Sequence, residues 1–326
     1  MDSTKQAVAA TGLLVAAMRA EESTRDDALF HDPFAERLAG DEGRRLLAES
    51  SAETGQPSAL IVVRTGLFDE ALLRVHAGGV AQVVILAAGM DARSYRLPWH
   101  DGTTVYEVDQ PQVIAIKEER LAGEQPRCRR AAVGVDLADD WPEVLDSQGF
   151  DSSSRTVWLI EGLLYIEASE VDRLFARVDA LSAPGSVLLY DVVGIALLGA
   201  PFLRSTLEFM QKLWARHGFS APRHRMPSSS TAAGPRRSPT WPYRQQVETV
   251  GTSGDSGRGA QRAARLLHRG DQSLRSVIRH LRLRRRRLWA RSSPRLRCLY
   301  LGRCRACTYG QARVLPRVAS GSTPSP

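Results

Sequence analysis

The sequence predicts an α/β fold: an open, mostly parallel sheet with helices on both faces. Two observations carry this. Short β-rich apolar runs alternate with helical stretches through residues 79–219, which is the order that right-handed strand–helix–strand crossovers require. The first of these runs, Val83-Val84-Ile85-Leu86, is apolar throughout and closes on a turn at Gly89, as befits a strand buried on both faces.

Taken in order, residues 5–22 place Val8, Leu13, Leu14, Ala17 and Met18 at helical spacing, so an amphipathic helix is expected there. A second helix is expected from about Ser58 to Val75. Candidate strands follow at Gln82 to Ala87, Thr103 to Val108, Ala131 to Val135, Thr156 to Ile160 and Ser186 to Tyr190. Helical stretches near Gln112 to Leu121, Pro142 to Ser147 and Glu167 to Leu181 separate them, and the switch between the two periodicities marks each boundary. No internal repeat interrupts the series.

At 326 residues and 43% hydrophobic content the chain can bury a large core. Its charge is divided unevenly. Residues 1–219 carry 21 Lys+Arg against 33 Asp+Glu, whereas residues 220–326 carry 23 Arg, no Lys and 3 acids. Two different kinds of sequence are therefore joined near residue 219. The four cysteines Cys128, Cys298, Cys304 and Cys307 are too few and too uneven for a disulfide framework. The amino terminus lacks a cationic stretch leading into an apolar one, and a cytoplasmic location is expected. The apolar stretch Val187 to Leu203 holds Asp191, Gly194, Gly199 and Pro201; its length of roughly 17 residues sits at the short limit for a membrane span, and a strand running into a helix explains it better.

The chemistry gathers where strands end. Gly89 lets a ligand approach the backbone without a side chain in the way, and Asp91 and Arg93 follow within the same turn. Asp109 ends the next strand about 20 residues later, where a carboxylate can accept hydrogen bonds from both hydroxyls of a ribose. A dinucleotide site would also need a G-x-G-x-x-G run to cradle a pyrophosphate, and only one glycine is present. A ribose-bearing cofactor without phosphate fits better, and S-adenosyl-L-methionine is such a molecule; a dinucleotide-dependent oxidoreductase is disfavoured. Asp136 and Leu137 end the third strand and suit the amine and face of an adenine. Glu161 ends the fourth, placed to meet the amino-acid portion of the cofactor or to orient an incoming nucleophile. Any one of these acids could instead cap the helix that follows; three at successive strand ends point to a pocket. Arg64, on the helix before the first strand, is a candidate for a bidentate contact with the cofactor carboxylate, or else a surface arginine paired with Asp69 or Glu70.

These motifs support a family resemblance. Residues 8–219 resemble the S-adenosylmethionine-dependent methyltransferases of the leucine carboxyl methyltransferase type, including actinobacterial O-methyltransferases. The likeness rests on Thr11-Gly12-Leu13-Leu14-Val15-Ala16-Ala17-Met18-Arg19-Ala20-Glu21, on Asp32-Pro33-Phe34-Ala35, and on Arg64 with Phe68-Asp69. It continues through Leu86-Ala87-Ala88-Gly89-Met90-Asp91-Ala92-Arg93-Ser94-Tyr95-Arg96-Leu97, Glu107-Val108-Asp109-Gln110-Pro111 with Lys117, Val135-Asp136-Leu137 with Trp141, and Glu161-Gly162-Leu163-Leu164-Tyr165. The resemblance implies a Rossmann-like class I methyltransferase domain over residues 1–219, with amino-terminal helices in 1–78 and the core in 79–219. It also implies Asp109, Asp136 and Leu137 as cofactor contacts, with Gly89, Arg64 and Glu161 completing the pocket, and methyl transfer to an acceptor oxygen, a carboxylate or a hydroxyl. A carboxylate acceptor needs no general base; for a hydroxyl the candidates are Glu161 and Tyr165, and no catalytic residue is assigned. The acceptor, a small molecule or a protein carboxylate, is not identified by these residues.

Past the helix at Trp214 to Phe219 the likeness stops. Similar proteins continue with a Gly-Thr-Asp-Asp-Pro-like segment, a helix ending in His-Gly-Trp and a last strand near Arg-Ser-Phe, and residues 220–326 contain none of these. The sheet is therefore expected to lack its carboxyl-terminal strands, with cofactor binding weakened or lost. The tail reads as disordered or as an out-of-frame translation of GC-rich DNA. Ser220 to Ala260 has the composition of a linker, Gln261 to Leu288 could form a cationic helix, and Ala290 to Pro326 shows no readable fold. A competing reading makes the run Arg282 to Arg287 a basic arm for nucleic acid or an anionic membrane. The tail offers few aromatics for stacking, so neither partner is expected. Cys304-Arg305-Ala306-Cys307 lacks a second close pair, so no metal is expected.

Overall fold

The computed structural model describes residues 3–55, 59–163, 168–191, 204–216 and 296–301. Three helices come first: α1 (Ser3–Ser23), α2 (Ala35–Thr54) and α3 (Ala59–Ala77). The alternating part follows as β1 (Gln82–Leu86), α4 (Arg93–Arg96), β2 (Thr104–Asp109), α5 (Pro111–Arg120), β3 (Arg129–Gly134), α6 (Trp141–Ser147), β4 (Thr156–Ile160), α7 (Ala168–Ala180) and β5 (Ser186–Asp191). Helix α8 (Arg204–Arg216) and strand β6 (Leu296–Leu301) complete the described residues.

The strands form one parallel sheet in the order β3-β2-β1-β4-β5-β6. The chain runs outward from β1 to β3 and then returns to lay β4 on the other side of β1. That reversal opens a crevice at the carboxyl ends of β1 and β4, where open α/β sheets bind their ligands. Alternate residues on each strand feed two cores. Val84, Leu86, Tyr106, Val108, Trp158, Ile160, Leu188 and Tyr190 pack on one face with α6 and α7. Val83, Ile85, Val105, Val157, Leu159, Val187 and Leu189 pack on the other with Phe68 and Leu72 of α3. Burial on both faces is why these strands read as continuous apolar runs. Trp158 is fully buried and meets Trp141 edge-on with ring centroids 6.2 Å apart; truncating such a side chain to alanine costs about 3–5 kcal/mol.

The turn after β1 is packed from above. Met90, Ala92 and Tyr95 share a cluster with Ala16 and Ala17 of α1 and Leu38 and Ala39 of α2. Further along, Leu14 and Met18 meet Leu46, Phe209 and Leu213, which joins α8 to α1 and α2.

Two elements add to the sequence reading. Helix α2 falls in a stretch to which that reading assigned no element, and it carries Gly40 and Gly43, each of which weakens a helical pattern. Gly40 does break the helical path, at φ 60°. Gly43 serves packing instead: a Cβ there would lie 2.6 Å from the carbonyl oxygen of Leu13, so only glycine lets α1 and α2 approach this closely. The five-strand parallel sheet expected from the sequence is present, and one further strand stands at its outer edge. Residues Leu296–Leu301, within the stretch judged to have no readable fold, form β6 in parallel register with β5 from Ser186↔Leu296 to Asp191↔Leu301. The backbone groups along the outer edge of β5 would otherwise be unpaired, and the short run Leu296-Arg297-Cys298-Leu299-Tyr300-Leu301 is rich in strand-forming types. The expected helix at Trp214 to Phe219 starts earlier, as α8. The linker, cationic-helix, basic-arm and Cys304–Cys307 readings, and the strand-to-helix reading beyond Asp191, lie outside the described residues. Among the described residues, no helix is long and apolar enough to cross a membrane and no His, Cys, Asp and Glu side chains form a metal-binding group.

Candidate active site

The polypeptide leaves β1 through a turn of unusual backbone. Ala87 has φ 53° and Gly89 has φ 49°. A non-glycine residue in this left-handed region costs about 1 kcal/mol or more, and packing of the turn under α1 and α2 holds it there. At Gly89 an added Cβ would meet nothing nearer than the Ala87 carbonyl oxygen at 4.0 Å, so the backbone stands open where a ligand would approach.

Asp109 closes onto this turn. Its Oδ2 accepts the Gly89 N–H at 2.6 Å and its Oδ1 accepts the Gln110 N–H at 2.7 Å. Each oxygen keeps a second lone pair, which leaves the carboxylate two acceptor sites, the number a ribose diol needs. Burial pushes the Asp109 carboxyl above its ordinary range, while the Gly89 and Gln110 amides and, further off, Lys117 pull it back. Asp136, two residues past the end of β3, is close enough to add its own charge to that upward push. Its Oδ1 accepts the Ala138 N–H at 2.9 Å, a local turn of the kind a capping role would make. Leu137 packs at the border of the first core cluster.

The other half of the site lies at β4 and β5. Glu161 Oε1 accepts from Arg64 Nε at 2.9 Å, and Glu161 Oε2 accepts from Arg93 Nη1 at 2.8 Å. Arg64 also donates through Nη1 to Asp191 Oδ2 at 3.2 Å, and the Gly162 N–H donates to Asp191 Oδ1 at 2.6 Å. Burial raises the Glu161 carboxyl, but the two guanidinium groups, Arg93 foremost, outweigh it and hold the group below its ordinary value. At Asp191 burial prevails over Arg64 and the carboxyl is raised. Arg64 is thus no surface residue paired with Asp69 or Glu70; its charge is turned inward to Glu161 and Asp191.

Arg93 joins the two halves. Beyond Glu161 it donates through Nη1 to Asp91 and through Nε to Asp69 at 2.7 Å. Asp69 is held in turn by Arg96 at 2.6 and 2.7 Å. Arg96 lies 3.7 Å from Asp32, which accepts from Arg19 Nε at 3.0 Å, and Arg19 also donates to the Met90 carbonyl. Burial works against the Asp91 charge, but Arg93, Lys117, Arg19 and Arg96 override it and hold the carboxyl at about 2. Beneath the turn, Glu107 is fully buried with Lys117 Nζ and Arg130 Nε each 2.8 Å from its Oε2, and accepts from Ser94 Oγ at 2.5 Å.

Direct contact therefore unites Gly89 with Asp109, and Arg64 with Glu161. Asp136 and Leu137 share the same carboxyl edge, at β3. Sequence reasoning missed Asp191, Asp69 and the bridging role of Arg93. Asp191 ends β5 just as Asp109 and Glu161 mark the ends of their strands, so the strand-end pattern held the signal. The partners of Asp69 are 24 and 27 residues away, and no spacing rule reaches that far. A cleft of about 380 Å³ lined by Gln82, Thr104, Arg129 and Arg155 opens at the opposite, amino-terminal edge of the sheet, away from these acids.

Comparison with known proteins places this geometry in a lineage. A protein of Mycobacteroides abscessus named "Putative S-adenosyl-L-methionine-dependent methyltransferase" is 48% identical over 193 residues, covering 55% of this chain and 63% of its own length. A Mycobacterium tuberculosis protein of the same name is 42% identical over 229 residues, covering 64% of this chain and 73% of its own. The chain spans less than two thirds of the length of the Mycobacteroides abscessus relative and of a Mycolicibacterium gilvum relative of the same name, 63% and 66%. Among solved structures, a DUF574 family protein from Streptomyces avermitilis is similar with a TM-score of 0.43 at 15% identity, over 64% of this chain and 77% of that one. The leucine carboxyl methyltransferase profile matches residues 12–179, from α1 through α7 and across every site residue except Asp191. By that match over half its length, the chain belongs to the leucine carboxyl methyltransferase family.

Proposed function

We propose that this chain is an S-adenosyl-L-methionine-dependent methyltransferase whose acceptor atom is a carboxylate oxygen. The observation that carries the reading is the Gly89–Asp109 contact at 2.6 Å. It sets an open glycine backbone beside a buried carboxylate with two acceptor sites to spare, at the carboxyl ends of β1 and β2, next to the point where the strand order reverses. The residues fit the cofactor by their donor and acceptor chemistry: Asp109 for the ribose hydroxyls, Asp136 and Leu137 for the adenine amine and face, Glu161 for the ammonium and Arg64 for the carboxylate. The names of the mycobacterial relatives support the same cofactor.

The bound cofactor would supply an electrophilic methyl group on a sulfonium. The acceptor oxygen would contribute the electron pair of the new C–O bond, and the breaking C–S bond would leave its pair on sulfur. What the protein adds is alignment and exclusion of water. The state of Glu161 favours an acceptor that arrives already anionic. Both of its oxygens are held by guanidinium groups and its carboxyl sits below the ordinary range, which suits a receptor for an ammonium group and makes a weak proton acceptor. A carboxylate acceptor needs no base. A hydroxyl would need one, and Tyr165, the other candidate, lies outside the described residues.

Calorimetric titration with S-adenosyl-L-homocysteine tests the cofactor reading, with binding, weakened by the departure of residues 220–326 from the family pattern, expected in the wild type and loss expected in Asp109→Asn. No heat from well-folded wild type would overturn it. Transfer of a labelled methyl group in lysate then tests the acceptor: methyl esters release label as methanol in mild base, whereas stable label means a linkage other than an ester and refutes the carboxylate.

A further inference from the structure

We propose that Arg93, backed by Asp69, is a positioning residue that sets the end of the pocket receiving the amino-acid portion of the cofactor. The inference rests on the cofactor reading above. It starts from the fact that Arg93 is 2% exposed, yet its guanidinium group serves three carboxylates on three different segments. Nε binds Asp69 on α3, and Nη1 binds Asp91 in the turn after β1 and Glu161 at the end of β4. The planar fork of an arginine can hold several acceptors at fixed angles, which a lysine, as a point charge, cannot.

The arrangement has a direction. Asp69 is immobilised from behind by two hydrogen bonds from Arg96, and the Arg93 main chain is tied by its own N–H to Asp91 Oδ1 at 2.6 Å and by its carbonyl to Trp99 Nε1 at 2.8 Å. The anchored end therefore lies on α3 and α4, and the end that reaches the rim is the contact with Glu161 Oε2. Glu161 has a second guanidinium on Oε1, from Arg64, so the two arginines fix the carboxylate plane between them. Among the described residues, the two hydrogen bonds at the ribose end run from Gly89 and Gln110 to Asp109 and involve none of Arg93, Asp69, Arg96 or Glu161. Weakening Arg93 should then alter recognition of the amino-acid portion and spare recognition of the nucleoside.

The test compares two ligands that differ only in that portion. S-adenosyl-L-homocysteine carries it, and 5′-methylthioadenosine does not. Their affinities are measured by calorimetry for wild type, Arg93→Lys and Asp69→Asn, with circular dichroism confirming that each is folded. The expected result is a loss of about tenfold or more for S-adenosyl-L-homocysteine, the scale of a misplaced charge-assisted hydrogen bond, with 5′-methylthioadenosine changed by less than about twofold. A parallel loss for both ligands, or unfolding of both variants, would make Arg93 a structural brace and overturn the inference. Unchanged affinity for both would show that Glu161 is placed without it. Should the wild type bind neither ligand, the cofactor reading itself fails; if it binds both and the variants do not separate them, only the positioning role does.

Discussion

Replacing Glu107 with glutamine keeps the shape of the side chain and removes the one carboxylate in ion-pair contact with Lys117 among the described residues, leaving only the more distant charges of Asp91 and Asp109. Glu107 and Lys117 are both 0% exposed, and their charged atoms are 2.8 Å apart. Arg130 shares the same oxygen at 2.8 Å but keeps Glu118 at 3.4 Å, so the variant strands chiefly the lysine. Breaking one side of a buried pair costs about 3–5 kcal/mol. Against a total stability of about 5–15 kcal/mol this is a large share, equivalent to roughly 10 °C in melting temperature. Urea unfolding of wild type and Glu107→Gln, followed by circular dichroism at pH 7, reads the difference. A variant within about 1 kcal/mol of wild type would refute the claim that this pair stands in a dry, low-dielectric site.

Two further outcomes test the rim. Asp91 is held at about 2 in the folded protein against 3.8 for the free side chain, a depressed carboxyl whose stabilising effect is complete above the unfolded value and lost as pH falls toward the folded one. Asp91→Asn should therefore be less stable than wild type by about 2 kcal/mol near neutral pH, with about half of that gap left at pH 3; urea midpoints that stay equally far apart from pH 6 to pH 3 would exclude the assignment. Gly162→Ala places a methyl group at φ 72° and 3.2 Å from Arg64 Nη1. It should cost about 1 kcal/mol or more in stability and weaken S-adenosyl-L-homocysteine binding by displacing Arg64; wild-type affinity in the variant would show that Arg64 is not where that ligand is held.

Much of the architecture was legible because local pattern and tertiary burial agree. The five runs from Gln82 to Tyr190 lie within a residue or two of β1 to β5; the signal is clearest in β1 and β4, buried at every position, because a strand covered on both faces must be apolar at nearly every position. Helix α2 shows the opposite case. Its two glycines weaken the local helical pattern, and only the carbonyl of Leu13 above Gly43 shows that one of them exists for helix contact. Strand β6 was illegible for a related reason: its pairing depends on an edge of β5 more than a hundred residues earlier in the chain, which the composition around Leu296 does not advertise.

The site divides along the same line. Residue type and strand-end position were enough to nominate Gly89, Asp109, Asp136, Leu137 and Glu161, because in a parallel sheet every strand delivers its last residue to the same edge. The order of elements along the chain was likewise sufficient for the fold class. Which charge meets which was settled only in three dimensions. Arg64 reaches Glu161 and Asp191 across 97 and 127 residues, and Arg93 reaches Asp69 and Glu161 in opposite directions along the chain. Periodicity reports which face a residue turns toward, a property of its nearest neighbours; ion pairing depends on distances of about 3 Å between segments that only the packing of α3, the β1 turn, β4 and β5 brings together.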